Sequence, residues 1–210
     1  TIRDGSVSGN GGGILNAGVL TVTNSALLDN ILAGGNRGSA IYNGAGPVTL
    51  ANSTVAGNRS SDRGGGIYTT GGGLFAITNT TFYSNTGSMG GALSASSGNV
   101  AVTNSTFSGN SATTFGAAIR TSTGIITLTN TIVGRALFGS NCAGGPLTDG
   151  GGNISDDTCY FTDPTSRSST TLLLAPLGDY GGGTQTFALL PGSPAIDFGV
   201  AASCPATDQR

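Results

Sequence analysis

Residues 90–110 read GGALSASSGNVAVTNSTFSGN, and much of the chain is this stretch written again with small changes. Sliding the sequence along itself superposes GGGI at 11–14, GSAI at 38–41, GGGI at 64–67, GGAL at 90–93 and GAAI at 116–119. Their fourth residues stand 27, 26, 26 and 26 positions apart. An alternating segment ending in Asn follows each block: TVTN to Asn24, TLAN to Asn52, AITN to Asn79, AVTN to Asn104 and TLTN to Asn130. In four repeats a second Asn comes six residues further on, at Asn30, Asn58, Asn85 and Asn110. So constant a period makes each repeat one coil of a solenoid, whose apolar face only its neighbours can bury.

The contents of the repeat choose the kind of solenoid. In 21–23, 49–51, 76–78, 101–103 and 127–129 an aliphatic residue sits between two small or hydroxylated ones, the period-two signature of a half-buried strand. Helix formers are scarce: there is no Glu, no Lys and one Met, against 38 Gly. A leucine-rich repeat shares the period but requires a Leu-x-x-Leu-x-Leu frame that no repeat supplies. The expected fold is an all-β parallel β-helix with roughly 26 residues and three strands per coil. Coils about 4.8 Å apart place like positions on top of one another. Val22, Leu50, Ile77, Val102 and Leu128 then form one interior column, Ile14, Ile41, Ile67, Leu93 and Ile119 a second, and Leu27, Val55, Phe82, Phe107 and Val133 a third. Asn24, Asn52, Asn79, Asn104 and Asn130 are expected to stack as a structural ladder whose amides satisfy turn backbone from coil to coil.

After Ala136 the repeat is lost, and the remaining stretch holds all three cysteines and most of the aspartates and prolines. The expectation is coils over 1–136 and an irregular cap over 137–210 that covers the last exposed edge. Cys142 and Cys159 bracket a Gly/Asp-rich loop suited to a disulfide, which implies oxidising surroundings, while Cys204 has no evident partner. Eight Arg against ten Asp give a net charge of -2, which offers no footprint for nucleic acid. No apolar run is long enough for direct membrane insertion. The start at Thr1, in mid-repeat, reads as a piece of a longer precursor.

GGAL with FYSN (82–85) and FSGN (107–110) resembles the GGA[ILV] and FxxN tetrapeptides of polymorphic outer-membrane protein repeats. The tail, with SNCAG, GGNISDDTC, LAPLGDYGGGTQTFALLPGSPAIDFG and CPATDQR, resembles bacterial choice-of-anchor Q domain proteins. That resemblance implies a right-handed parallel β-helix in an extracellular or cell-surface location. Tyr180, Gly183 and Phe187 replace the Asn, Pro and His usual in that family's NGGPTQTH segment.

Chemistry is sparse along the repeats. Glycoside cleavage needs carboxylates converging within roughly 5 to 9.5 Å, and the coils offer only Asp4, Asp29 and Asp62, at unrelated points of the repeat. With no His, a nucleophilic triad and a zinc site lack their usual residues. No catalytic residue and no organic cofactor is expected; Asp149, Asp156, Asp157 and Asp163 form a weak candidate Ca²⁺ site whose plainer reading is a set of turn aspartates. Tyr42 and Tyr68, one coil apart, are expected to make an outward aromatic pair able to contact a glycan or a surface protein. Phe82 and Phe107 are expected to stack inside the core. The resulting expectation is a non-enzymatic surface solenoid acting as an adhesin passenger, a stalk or a filament subunit that associates head to tail. The alternatives are a carbohydrate-binding or polysaccharide-cleaving β-helix, and an ice-binding protein using Thr21, Thr23, Thr127 and Thr129.

Overall fold

Each coil turns three main corners, and a single residue in the left-handed region makes each one. Gly11, Gly38, Gly64, Gly90 and Gly116 form the first, with φ between 61° and 73°. At Gly64 a Cβ would collide with the Ile67 carbonyl, so the GGxI blocks need glycine for both conformation and room. Asn24, Asn52, Asn79, Asn104 and Asn130 form the second corner, with φ between 47° and 50°. Asn enters this region at less penalty than other side-chain-bearing residues. The third corner falls at Asp4, Asp29, Gly57, Ser84, Gly109 and Arg135, with φ between 52° and 67°.

Between the corners lie parallel strands. The computed structural model describes residues 1–145 and 147–210, and it is a parallel β-solenoid of about six turns in which the one helical segment described is the short turn Ala201–Ser203. The first wall stacks Ile14–Asn16, Ile41–Asn43, Ile67–Thr69, Leu93–Ala95, Ile119–Thr121 and Cys142–Gly144. The second and third walls merge into one 11-stranded sheet, because strands such as Val48–Ala56 and Leu74–Tyr83 run unbroken through the Asn corner. Beyond the third corner Ile31–Leu32, Arg59–Ser60, Thr86–Met89 and Ser111–Phe115 add a short fourth strand to four of the coils, besides the three that carry the predicted columns.

The expected register holds. Val22 faces Leu50, Leu50 faces Ile77, Ile77 faces Val102 and Val102 faces Leu128. The column from Leu27 to Val133 and that from Ile41 to Ile119 are fully buried, each such side chain contributing on the order of 1.5–3 kcal/mol. Phe82 and Phe107 stack face to face with centroids 4.4 Å apart. A further interior column, Val48, Phe75, Val100 and Ile126, was not anticipated: second-wall strands turn two residues inward, not one.

The coils also run past residue 136, where the composition shift placed their end. Cys142–Gly144 pairs with Ile119–Thr121, Leu147–Asp149 with Ile126–Leu128, and Ile154–Ser155 with Ile132–Val133. Backbone ladders do not require the repeat's side chains, so a sixth coil forms with Cys142 beneath Ile119 and Asp149 beneath Leu128. The disulfide Cys142–Cys159 then draws the following segment over the end of the core, where Cys159 is buried and Phe161 packs. Residues 171–210 do not cap the end. They turn back along the flank, first as the antiparallel hairpin Leu174–Gly178 with Thr186–Leu189, then as a tail lying over the Asn corner.

Candidate functional site

The predicted ladder and the observed one are different columns. Asn24, Asn52, Asn79, Asn104 and Asn130 do stack, yet among them only Asn79 Nδ2 donates to a neighbouring amide, Asn52 Oδ1, at 3.1 Å. Their conformation makes the corner, and several of their side chains face outward to meet the tail. Asn79 donates to the Thr207 carbonyl, Asn104 to the Ser203 carbonyl and Asn130 to the Val200 carbonyl, at 2.9 to 3.1 Å. The continuous amide ladder belongs to the second Asn of each repeat. Asn30 Nδ2 donates to Asn58 Oδ1, Asn58 to Asn85 and Asn85 to Asn110, at 2.8, 2.9 and 3.0 Å, and all four residues are buried. The six-residue offset between the two sets was legible; which of them turned inward was not.

The tail closes over this corner with one side chain more engaged than the rest. Gln209 Nε2 donates to the Ser53 and Gln185 carbonyls and to the Thr54 and Thr184 hydroxyls, and Gln209 Oε1 accepts from Thr81 Oγ1. Nothing in the composition marks it, although it sits in the CPATDQR segment that carried the family resemblance. Between tail, hairpin and third wall lies a cleft of about 410 Å³ lined by Asn104, Thr106, Ile132, Phe187, Cys204 and Gln209. Cys204 is a free, exposed thiol at this cleft.

The four candidate Ca²⁺ ligands do not converge. Among the described residues no three carboxylate or thiol side chains gather in a metal-binding group. Asp149 accepts from Gly151 N–H, Thr162 N–H, Asp163 N–H, Asn153 Nδ2 and Ser166 Oγ. Burial by itself would raise the Asp149 carboxyl, but hydrogen bonds from Ser166, Asp163, Asn153 and Gly151 outweigh it and hold the group below the usual range. Asp156 accepts from Arg135 N–H and Asn141 Nδ2, Asp157 from Asn141 N–H and Thr158, and Asp163 from Thr165. These carboxylates organise loop backbone.

Tyr42 and Tyr68 pair as expected, with centroids 5.5 Å apart and planes 24° from parallel. They do not form an open platform. Tyr68 is 1% exposed, because Arg37 lies 5.1 Å over its ring and donates Nη1 to its hydroxyl at 3.1 Å. Arg37 Nε in turn donates to Asp62 at 2.6 Å, and this bond raises the guanidinium's already high pKa. Arg37 thus covers the outer face of the first wall at Tyr68.

No family of known proteins, no curated protein and no solved structure matches the chain, so its chemistry is read from its own geometry.

Proposed function

We propose that this chain is an extracellular, non-enzymatic β-solenoid module of the choice-of-anchor Q kind, a stalk or adhesin passenger that projects and contacts rather than reacts. The observation that carries the reading is the flank strap: a tail tied by Asn79, Asn104, Asn130 and Gln209 along several coils turns a stack of weakly specified repeats into one stiff rod. The buried Cys142–Cys159 disulfide supports an oxidising location. Self-association of such rods end to end is the filament form of the same role.

Negative-stain images and sedimentation over a range of concentrations test it. Rods of constant length support a projecting module, and fibres that lengthen with concentration support the filament form. Turnover of an acidic polysaccharide that disappears on replacing Asp62 or Asp149 would overturn the non-enzymatic reading. Thermal hysteresis lost on replacing Thr21 and Thr127 would transfer the role to the threonine-bearing second wall.

A further inference from the structure

Five buried side-chain atoms among the described residues lack a hydrogen-bond partner, and three of them belong to one place: Arg63 Nε, Ser94 Oγ and Arg120 Nη1. The fold brings them together by stacking. Tyr68, Ser94 and Arg120 are consecutive outward positions of the first wall, and Arg63 precedes the corner glycine Gly64, whose backbone abuts Tyr68. Arg37, one repeat earlier than Arg63, reaches onto Tyr68 in the next coil. Arg63 itself pairs with Met89, and the corner glycine that follows, Gly90, abuts Ser94.

Unlike Arg37, which has Asp62 and the Tyr68 hydroxyl, Arg63 has only a long contact to Asp62, Nε to Oδ1 at 3.8 Å. Burial depresses the Arg120 guanidinium, and the charge of Arg63 depresses it further, against smaller opposing effects of Tyr68 and Asp62. Arg37, Arg63 and Arg120 face one carboxylate, Asp62, in a protein whose net charge is -2. Two neighbouring guanidinium groups with idle donors, beside a hydroxyl that is itself 0% exposed at Ser94, are under-satisfied in the way that a bound anion corrects. Guanidinium forks match the geometry of carboxylate and sulfate oxygens.

We infer that Arg63, Ser94 and Arg120 form an oxyanion site that takes a carboxylate or sulfate group, as carried by an acidic saccharide. It gives the display role a ligand class and rests on that reading only for its context. Loss of anion binding would leave rod morphology unchanged, so the two fail separately.

The protein has no Trp, so an anion bound beside the Tyr42–Tyr68 pair is followed as a change in total tyrosine emission, with Tyr83, Tyr160 and Tyr180 as a constant background. The test titrates trigalacturonate and inorganic sulfate into the wild-type chain and into Arg120→Gln, Ser94→Ala and Arg3→Gln, following tyrosine emission and melting temperature. Expected are saturable binding with a raised melting temperature, weakening of about tenfold or more in Arg120→Gln and Ser94→Ala, and no change in Arg3→Gln. Ser94→Ala keeps the fold, since Ala143 fills the same position two coils on. Trigalacturonate binding more tightly than sulfate assigns the site to a glycan-borne anion, and the reverse order assigns it to a free one; both support the oxyanion site. Absence of saturable binding of either probe, or binding untouched by Arg120→Gln and Ser94→Ala alike, overturns it.

Discussion

At the scale of single residues the repeat uses asparagine for two different physical jobs. Asn24 holds a left-handed corner, and it is exposed. Asn85 is buried with its amide donating to the Val55 carbonyl and to Asn110, while its oxygen accepts from Asn58. The two jobs separate by substitution. Asn24→Gly is expected to leave stability nearly unchanged and Asn24→Ala to cost about 1 kcal/mol, the penalty of a left-handed alanine. Asn85→Gly and Asn85→Ala are both expected to cost about 3 kcal/mol, since buried donors and acceptors on both neighbouring coils lose partners. Urea unfolding curves of the four variants check the contrast. Asp149 supplies a pH signature of known sign. Its folded pKa lies below its unfolded value, so it contributes stability that is fully present above about pH 3.9 and is lost as pH falls through the folded pKa. Acid unfolding should begin in the loop 156–166 that Asp149 organises. Asp149→Asn should lower stability at pH 7 and flatten the dependence below pH 4, as measured by melting temperature against pH.

At the scale of elements the informative pieces are the sixth coil and the tail. Cys142 and Cys159 are 17 positions apart, and closing a loop of that size constrains the unfolded chain by about 3 kcal/mol. The paired replacement Cys142→Ala with Cys159→Ala is expected to lower stability by about that amount, and hydrogen exchange should show the loss first in Cys142–Gly144 and Ile154–Ser155. The tail makes a different prediction. Deleting residues 200–210, or replacing Gln209 with Ala, removes the ties to Ser53, Thr54, Thr81 and Thr184. The hairpin Thr186–Leu189 should then become sensitive to protease while the ladder from Asn30 to Asn110 keeps its exchange protection. If truncation unfolds the coils as well, the strap is part of the core and not an addition to it.

For the whole molecule, the stacking that makes the rod also makes its surface. Each outward position repeats once per coil, so a substitution in one repeat becomes a feature in a column. Tyr42, Tyr68, Ser94 and Arg120 are one such column, and it changes from aromatic to cationic along the axis. The Asn-Ser and Asn-Thr pairs at the second corner show the same logic from within. The hydroxyls of Ser53, Thr80, Ser105 and Thr131 each donate to the carbonyl two residues back, so a hydroxylated residue follows the corner Asn in four of the coils.

Periodicity alone determined the fold, the register and the three expected core columns, because a repeat of constant length can bury its apolar residues only by stacking like upon like. It also placed Phe82 against Phe107 and Tyr42 against Tyr68. Only the tertiary structure decided which asparagines turn inward, how far the coils continue past residue 136, and that the tail lies along the flank. Those outcomes depend on corner geometry and on contacts between residues more than a hundred positions apart, such as Thr54 with Gln185 and Asn79 with Thr207. A pattern of period 26 carries no term for them, since nothing in the repeat says what will cover its outer face.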